Sequence, residues 1–323
     1  MKKQLAVLWY AVIAAFAAGT AFGQPYPSRP VRLVVPFSAG AGVTDIMARL
    51  VGQKLTDALG QQVVIDNHPG AGGVPGTDIV AKATPDGYTL LMTNVAFTVN
   101  GFLYARLPYD ALKDFTPVTA VNSAPLVLVV NPSVPAKSVA ELVALAKAKP
   151  GGLNYGSGGV GSTPHLAGEL FRSLAGIDMT HIPYKGGAPA LTDLVAGQIS
   201  VMIENVPGTM PFVRSGKLRA LAISSPKRSP LEPDLPTISE AGVPGYEVIG
   251  WNGIVAVNGT PRPVVDRIYA ETAKILRSPE VVQRLATLGA EPIANTPAEF
   301  AAFIKSEMAR WGKIIKERGI RAE

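Results

Sequence analysis

Apolar positions recur along this chain in two rhythms, and their order predicts a β/α protein. Residues 31–35 form a short apolar run whose alternation places Val31, Leu33 and Val35 on one face, as in a strand. From Val43 the spacing changes. Ile46, Met47, Leu50, Val51, Leu55 and Leu59 recur every three or four residues, the signature of one helical face, and Gly60 supplies the stop. Residues 63–66 predict a second strand, NHPGAGGVPG a glycine loop, residues 77–83 a helix, Pro85-Asp86-Gly87 a turn and residues 88–93 a third strand. Strand, helix, strand, helix, strand is the order of a parallel α/β sheet.

The middle of the chain restarts the pattern. Residues 126–130 are an almost unbroken β-branched and leucine run, as in a strand buried on both faces. Ser138 and Glu141 have capping-box spacing ahead of a helix carrying Val139, Leu142, Val143 and Ala146, which Pro150-Gly151-Gly152 ends. A further helix has Pro164 near its first position, turns Leu166, Leu170, Phe171 and Leu174 inward and closes at Gly176. Strands are predicted at 181–184, 199–203 and 218–223, with a helix at 188–196 between the first two. The Pro-rich stretch 226–244 has few periodic positions and predicts a surface loop, followed by a strand at 251–257. The rest is helical: 264–276, 280–288, and a long helix from Pro297 with Thr296 and Glu299 as capping box and Phe300, Ile304, Met308, Trp311 and Ile315 facing inward. A terminal helical block without new strands is expected to pack on the existing sheet.

Two glycine-rich turns lead from strand-like runs into helices: PFSAGAGVTD at 36–45 and YGSGGVGSTPH at 155–165. Such a turn exposes unpaired backbone N–H groups beside the positive end of the helix dipole, a site for an anion. One turn in each half suggests a cleft that grips an anion from both sides. Ser38, Thr44, Ser157, Ser162 and Thr163 are able to cap helices or to bond a ligand. Asp45 would repel an anion if it faced the pocket alone. It is therefore expected to cap N–H groups or to accept from a water or a ligand amino group.

Composition narrows the class. The 323 residues are 47% hydrophobic and 17% charged, which excludes a disordered chain, and the net charge of +6 comes from scattered rather than clustered Lys and Arg, so no nucleic-acid partner is expected. Met1-Lys2-Lys3, the apolar residues 5–18 and Ala21-Phe22-Gly23 have the layout of a signal peptide cleaved after residue 23. A membrane anchor is the competing reading, but the apolar run is short of the about 20 residues a bilayer requires. The chain has no cysteine, so an exported form relies on its core instead of disulfides.

Catalytic constellations are sparse. His68, His165 and His181 are far apart and lack metal-ligand spacing; His68 and His181 read as surface or structural histidines, and His165, in the first turn of the second glycine-loop helix, as a candidate at the cleft. No GxSxG elbow occurs, and the turn serines lack an evident base. One enzyme alternative is literal: Gly156, Gly158 and Gly161 match GxGxxG, with Asp178 downstream, the pattern of a dinucleotide-dependent oxidoreductase. Export weighs against it, because nicotinamide cofactors are scarce outside the cytoplasm.

The strings YPSRPVRLVVPFSAG, DNHPGAGGVPG, PDGYTLL, LYARLPYD, LAGELFRSLAG, HIPYKGGAPAL, GKLRALAIS, DLPTISEAGVPGYE and WNGIVAVNGTP, in that order, resemble the Bug family, the extracytoplasmic solute receptors of tripartite tricarboxylate transporters. The resemblance runs from about Tyr26 to the last helix. It implies an α/β, two-domain type II periplasmic-binding-protein fold with a cleft between domain 1 (24–124 plus 250–323) and domain 2 (125–249). It further implies a monomeric periplasmic receptor, neither an enzyme nor a cofactor protein, that captures a small organic carboxylate and delivers it to membrane permease subunits. Main-chain groups and waters of two cleft loops would hold the carboxylate: Phe37, Ser38, Ala39 and Gly40 with Asp45, then Ser157, Gly158, Gly161, Ser162 and Thr163, with Asn205 of MIENVP at the cleft edge. Closure is expected by rotation about strands near 126–130 and 251–257. Two departures stand out: the first turn is one residue longer than PFxAGGxxD, with Ala41 where glycine is common, and His68 replaces an arginine. Dicarboxylates, amino acids and aromatic acids all remain open as ligands.

Overall fold

The computed structural model describes residues 26–40 and 43–321. The leader expected at 1–23, and Ala41 in the first glycine turn, lie outside the described residues.

Strand β1 (Val31–Val35) lies between β2 (Val63–Asn67) and β3 (Thr89–Asn94), parallel to both. Its alternation does not produce a wet face. Leu33, Val34 and Val35 are all fully buried, because layers pack on both sides of the strand. Helix α1 (Val43–Leu59) covers one side with Met47, Val51 and Leu55. Helix α2 (Val74–Ala81) follows a 3-10 turn at Ala71–Gly73 and begins before the expected Thr77, with Gly73 left-handed at its N-cap. Helix α3 (Val95–Leu103) was not legible from the pattern. Residues 95–100 are all buried, so no polar stripe marks a 3.6-residue period.

Strand β4 (Phe115–Val130) is the pivot of the topology. Residues 115–125 pair antiparallel with β9 (Ile249–Val257), and residues 126–130 pair antiparallel with β7 (Val201–Asn205) on one side and β8 (Arg219–Ile223) on the other. The strand expected at 126–130 is only its second half. The first half contains Pro117 and register shifts at Pro117/Thr119 and Ala120/Asn122, which break the alternation that sequence reading depends on.

Beyond β4 the second half contains α4 (Val139–Ala148), β5 (Asn154–Ser157), α5 (Thr163–Ala175), β6 (Thr180–Pro183), α6 (Gly187–Val195) and α7 (Val206–Arg214). β5 runs parallel to β6 and β7. Sheet order is β2-β1-β3-β9-β4-β7-β5-β6, with β8 and the two-residue β10 (Glu291–Pro292) pairing β4 off this path. The expected parallel sheet is therefore two parallel wings joined by an antiparallel centre. Helix α7 also escaped the pattern, since Pro207 and Pro211 within nine residues read as a breaker.

Helices α8 (Arg262–Leu276), α9 (Pro279–Thr287) and α10 (Pro297–Arg318) close the chain. The capping box of α10 is complete: Thr296 Oγ1 accepts from Glu299 N at 3.2 Å, and Glu299 Oε2 accepts from Thr296 N at 2.8 Å. That of α4 is half-formed, because the Glu141 carboxylate takes the Lys137 N–H instead of that of Ser138. One apolar core runs under both wings and joins Leu126, Leu128 and Phe171 to Trp251, Phe300 and Trp311. Within it Glu307 accepts from both Trp251 Nε1 and Trp311 Nε1 at 3.2 Å. Separate cores fill the opposite face of each wing. Among the described residues no helix is long and apolar enough to cross a membrane.

Candidate ligand cleft

In a parallel wing every helix that follows a strand starts at the strand's carboxyl end, so the N-termini gather on one side of the sheet. Here five such starts meet at one cleft: Val43 and Thr44 of α1, Asn94 at the N-cap of α3, Ser162 and Thr163 of α5, Gly187 and Ala188 of α6, and Asn205 at the N-cap of α7. The cleft contains about 590 Å³ free of protein atoms, part of it open to solvent. None of the described lining residues is a Lys, Arg or His. The positive potential is that of the helix ends and their unpaired N–H groups. Among the described residues no side chain caps α6 or α7.

The first loop is pinned from behind by a carboxylate. Asp45 is fully buried, and its Oδ2 accepts from Gly40 N at 2.9 Å and Arg49 Nε at 2.8 Å. Asn67 Nδ2 donates to both Asp45 Oδ1 and Phe37 O, each at 2.9 Å. Burial alone would raise the Asp45 carboxyl, but hydrogen bonds from Arg49, Gly40 and Asn67 hold it below the usual carboxylate range. Asp45 thus caps the Gly40 N–H of the first loop and is not among the cleft's lining residues.

The second loop is pinned by imidazoles. Ser157 Oγ, fully buried, accepts from Gly159 N at 3.1 Å and lies 2.7 Å from His181 Nε2. His165 Nδ1 accepts from Gly161 N at 3.2 Å, which requires that nitrogen to be unprotonated. The two imidazoles lie 4.4 Å apart, and Tyr155 stacks on His181 at 4.8 Å. Burial depresses both: His165 to about 4, and His181, which also feels His165 and Arg172, to about 3. Neither histidine lines the cleft, and the pairing joins residues on α5 and β6 that sequence spacing does not connect.

A third glycine turn, Lys185-Gly186-Gly187, completes the rim. Ser38 Oγ, from the first loop, donates to Lys185 O and so ties the wings together across the cleft. Behind this turn stands Glu204, 6% exposed, among the lining residues. Its Oε1 accepts from Asn205 N at 2.8 Å and Asn205 Nδ2 at 2.6 Å; its Oε2 has no partner among the described residues. Burial raises its carboxyl above the usual range, partly offset by the two Asn205 donors. Sequence reading passed over Glu204. The available signal was an acid inside the apolar strand VMIEN.

Of the candidate site residues, Phe37, Ser38, Gly158, Ser162, Thr163 and Asn205 line the cleft. Ala39, Gly40, Asp45, Ser157 and Gly161 are not among its lining residues: Gly40, Asp45 and Ser157 belong to the hydrogen-bond networks behind the loops, and Gly161 faces Asn100 of the opposite wing. His68 sits beside Asp66 (3.0 Å) and Arg32 (3.1 Å), outside the lining. The dinucleotide alternative fails on placement. Asp178 precedes β6 instead of ending it, its side chain is 60% exposed, and it pairs with Arg172, so no acid stands where a ribose would lie. Among the described residues no group of three or more His, Cys, Asp or Glu is arranged to hold a metal.

A mixed sheet in two parallel wings, with helix starts converging on a cleft between them, defines a periplasmic-type solute-binding protein. Residues 47–320 match the model of the tripartite tricarboxylate transporter family receptor, and the chain belongs to that family. It is 40% identical over 321 residues to protein BugT of Bordetella pertussis, covering 99% of this chain and 98% of that one. Among solved structures it resembles Rpa4515 of R. palustris, determined with adipate, at a TM-score of 0.89 and 40% identity over 92% of this chain and 99% of that one. The periplasmic binding protein BugD matches at a TM-score of 0.88 and 36% identity, over 92% and 100%. The chain is a solute-binding receptor of this family.

Proposed function

We propose that the mature chain captures a small organic carboxylate in the cleft and hands it to the permease subunits of a tripartite tricarboxylate transporter, without chemical turnover. The observation that carries this reading is the convergence of five helix N-termini on a cleft whose described lining has no cationic side chain. Carboxylate oxygens suit such a lining, because each takes short hydrogen bonds from main-chain N–H groups. Hydrogen bonds to a charged group contribute about 1.5 to 3 kcal/mol each, so a few suffice for the roughly 8 kcal/mol of micromolar affinity after the costs of closure. The adipate bound to Rpa4515 supports the same ligand class.

The reading assigns domain 1 to residues 24–124 plus 250–323 and domain 2 to 125–249, a monomer exported by the leader at 1–23. Opening would turn on two neighbouring crossovers, β4 at Pro125–Leu126 and the entry to β9 near Ile249, which are laced together through Ser224: its Oγ accepts from Leu126 N at 2.7 Å and donates to Val248 O at 2.6 Å. Trp251 to Val257, expected at the hinge, pairs within the first wing, so the bend falls just before it.

Calorimetry on ligand-stripped mature protein with a panel of C4 to C6 carboxylates, NAD as control, tests the proposal. Saturable binding of at least one carboxylate and none of NAD is expected; no carboxylate binding, or saturable NAD binding, would overturn it.

A further inference from the structure

We infer that Glu204 reads a hydrogen-bond donor on the bound acid, so that the cleft selects carboxylates bearing an amine or hydroxyl over otherwise identical unsubstituted acids; the inference rests on the receptor reading above. A cleft built only to hold carboxylates needs donors, which the helix starts supply. It needs no acceptor. Yet of the buried polar side-chain atoms without a partner among the described residues, two belong to lining residues, and both are acceptors: Glu204 Oε2 and Asn252 Oδ1. An orphaned buried acceptor is costly, and a ligand that supplies the missing donor recovers that cost only when bound.

The carboxylate is held in place without being satisfied. Asn205 spends its main-chain N–H and its side-chain amide on Oε1, which fixes the group's orientation and leaves Oε2 toward the start of α6. There the residue is Gly187, and a Cβ at that position would lie 2.9 Å from Oε2. Glycine therefore leaves the carboxylate against the helix start. The positive ends of α6 and α7 on either side favour its ionised, accepting form against the pull of burial. A second ligand carboxylate at this place would meet like charge, whereas an ammonium or hydroxyl would complete the oxygen.

Matched acids test this directly. Calorimetry compares malate and aspartate with succinate, and 2-hydroxyglutarate and glutamate with glutarate, on wild type and Glu204→Gln. The amide keeps an acceptor for Asn205 and puts a donor where Oε2 was. Wild type should bind a donor-bearing acid on the order of tenfold or more tightly than its unsubstituted partner, the scale of one charge-assisted hydrogen bond. Glu204→Gln should bring that ratio close to one. Equal or tighter wild-type binding of unsubstituted acids overturns the inference and leaves the receptor reading intact, as does a ratio unchanged in Glu204→Gln. Failure of every acid to bind overturns both. Should Glu204→Gln not fold, the wild-type ratios alone decide.

Discussion

The two glycine loops face each other across the cleft, but what holds them from behind differs in charge. The first is held by a buried carboxylate that gathers Gly40, Arg49 and Asn67. The second is held by Ser157, His165 and His181, neutral groups packed against Tyr155. Both arrangements take loop N–H groups, those of Gly40, Gly159 and Gly161, as donors toward the rear, so that each loop is shaped by side chains that are not among the cleft lining. The difference teaches that an anchor and a ligand contact are separate assignments, even for neighbouring residues of one motif. It also gives the halves different failure conditions.

Acid should separate them most. A histidine whose folded pKa lies below its unfolded value is neutral in the fold and charged when unfolded, so the unfolded state binds more protons and stability falls as pH drops. For His165 the loss runs from about 6.5 to about 4, and for His181 to about 3. At most about 1.4 kcal/mol per pH unit is lost for each, or roughly 2–4 kcal/mol together at pH 5. Asp45, with its pKa lowered from 3.8, contributes stability that is present above that value and is lost only at lower pH. Urea melts between pH 7 and 4.5 should therefore steepen in wild type and flatten in a His165→Asn/His181→Gln variant, whose amides replace the two ring nitrogens without titrating. An unchanged slope would mean that the imidazoles do not govern the acid response.

Removing the other anchor comes next. Asp45→Ala strips the carboxylate from Gly40 N, Asn67 and the half-exposed Arg49, and should cost about 2–3 kcal/mol at pH 7, less than the break of a fully buried pair because Arg49 reaches water. Carboxylate affinity should fall with it, read by calorimetry on protein still folded by circular dichroism. Smaller still, Gly40→Ala meets no neighbour among the described residues but carries a φ of +110°, so about 1 kcal/mol of stability should go with it. Gly158→Ala has the reverse profile: its Cβ would sit 3.2 Å from Gly187 N, at the junction of the second loop and the third turn, and affinity should drop more than stability. Lys185→Ala should change neither by more than about 0.5 kcal/mol, since its bond to Ser38 uses the main-chain oxygen.

Legibility followed exposure. Helices with one wet face, such as α1, α5 and α10, and short strands such as β1 and β5's neighbour β6 could be located from spacing and caps. Helix α3, wrapped in protein, and α7, with two prolines, could not. The first half of β4 was hidden by its proline and bulges. At the cleft, two of five helix starts announced themselves as glycine loops, and the start of α6 follows a third, Gly186-Gly187, which sequence reading did not single out; Asn205 was marked through family resemblance alone, and Asn94 reveals itself as a cap only through its 3.0 Å bond from Ala96 N. The joining of His165 to His181 requires β5 and β6 to be neighbours. That is a tertiary fact with no local trace. Family resemblance filled much of this gap for the fold; of the residues it carried over to the site, Asp45 and Ser157 are not among the cleft lining and accept from loop N–H groups.

A cleft whose positive lining is peptide backbone has an unusual mutational grammar. A point substitution deletes a guanidinium at once, but only proline deletes a backbone N–H. The main-chain donors of such a lining are thereby shielded from most single-base changes, while side chains among them, such as Glu204 and Asn252, remain free to vary. Receptors built this way can diversify their cargo by drift at a few positions without ever passing through a form that has lost its hold on the acid.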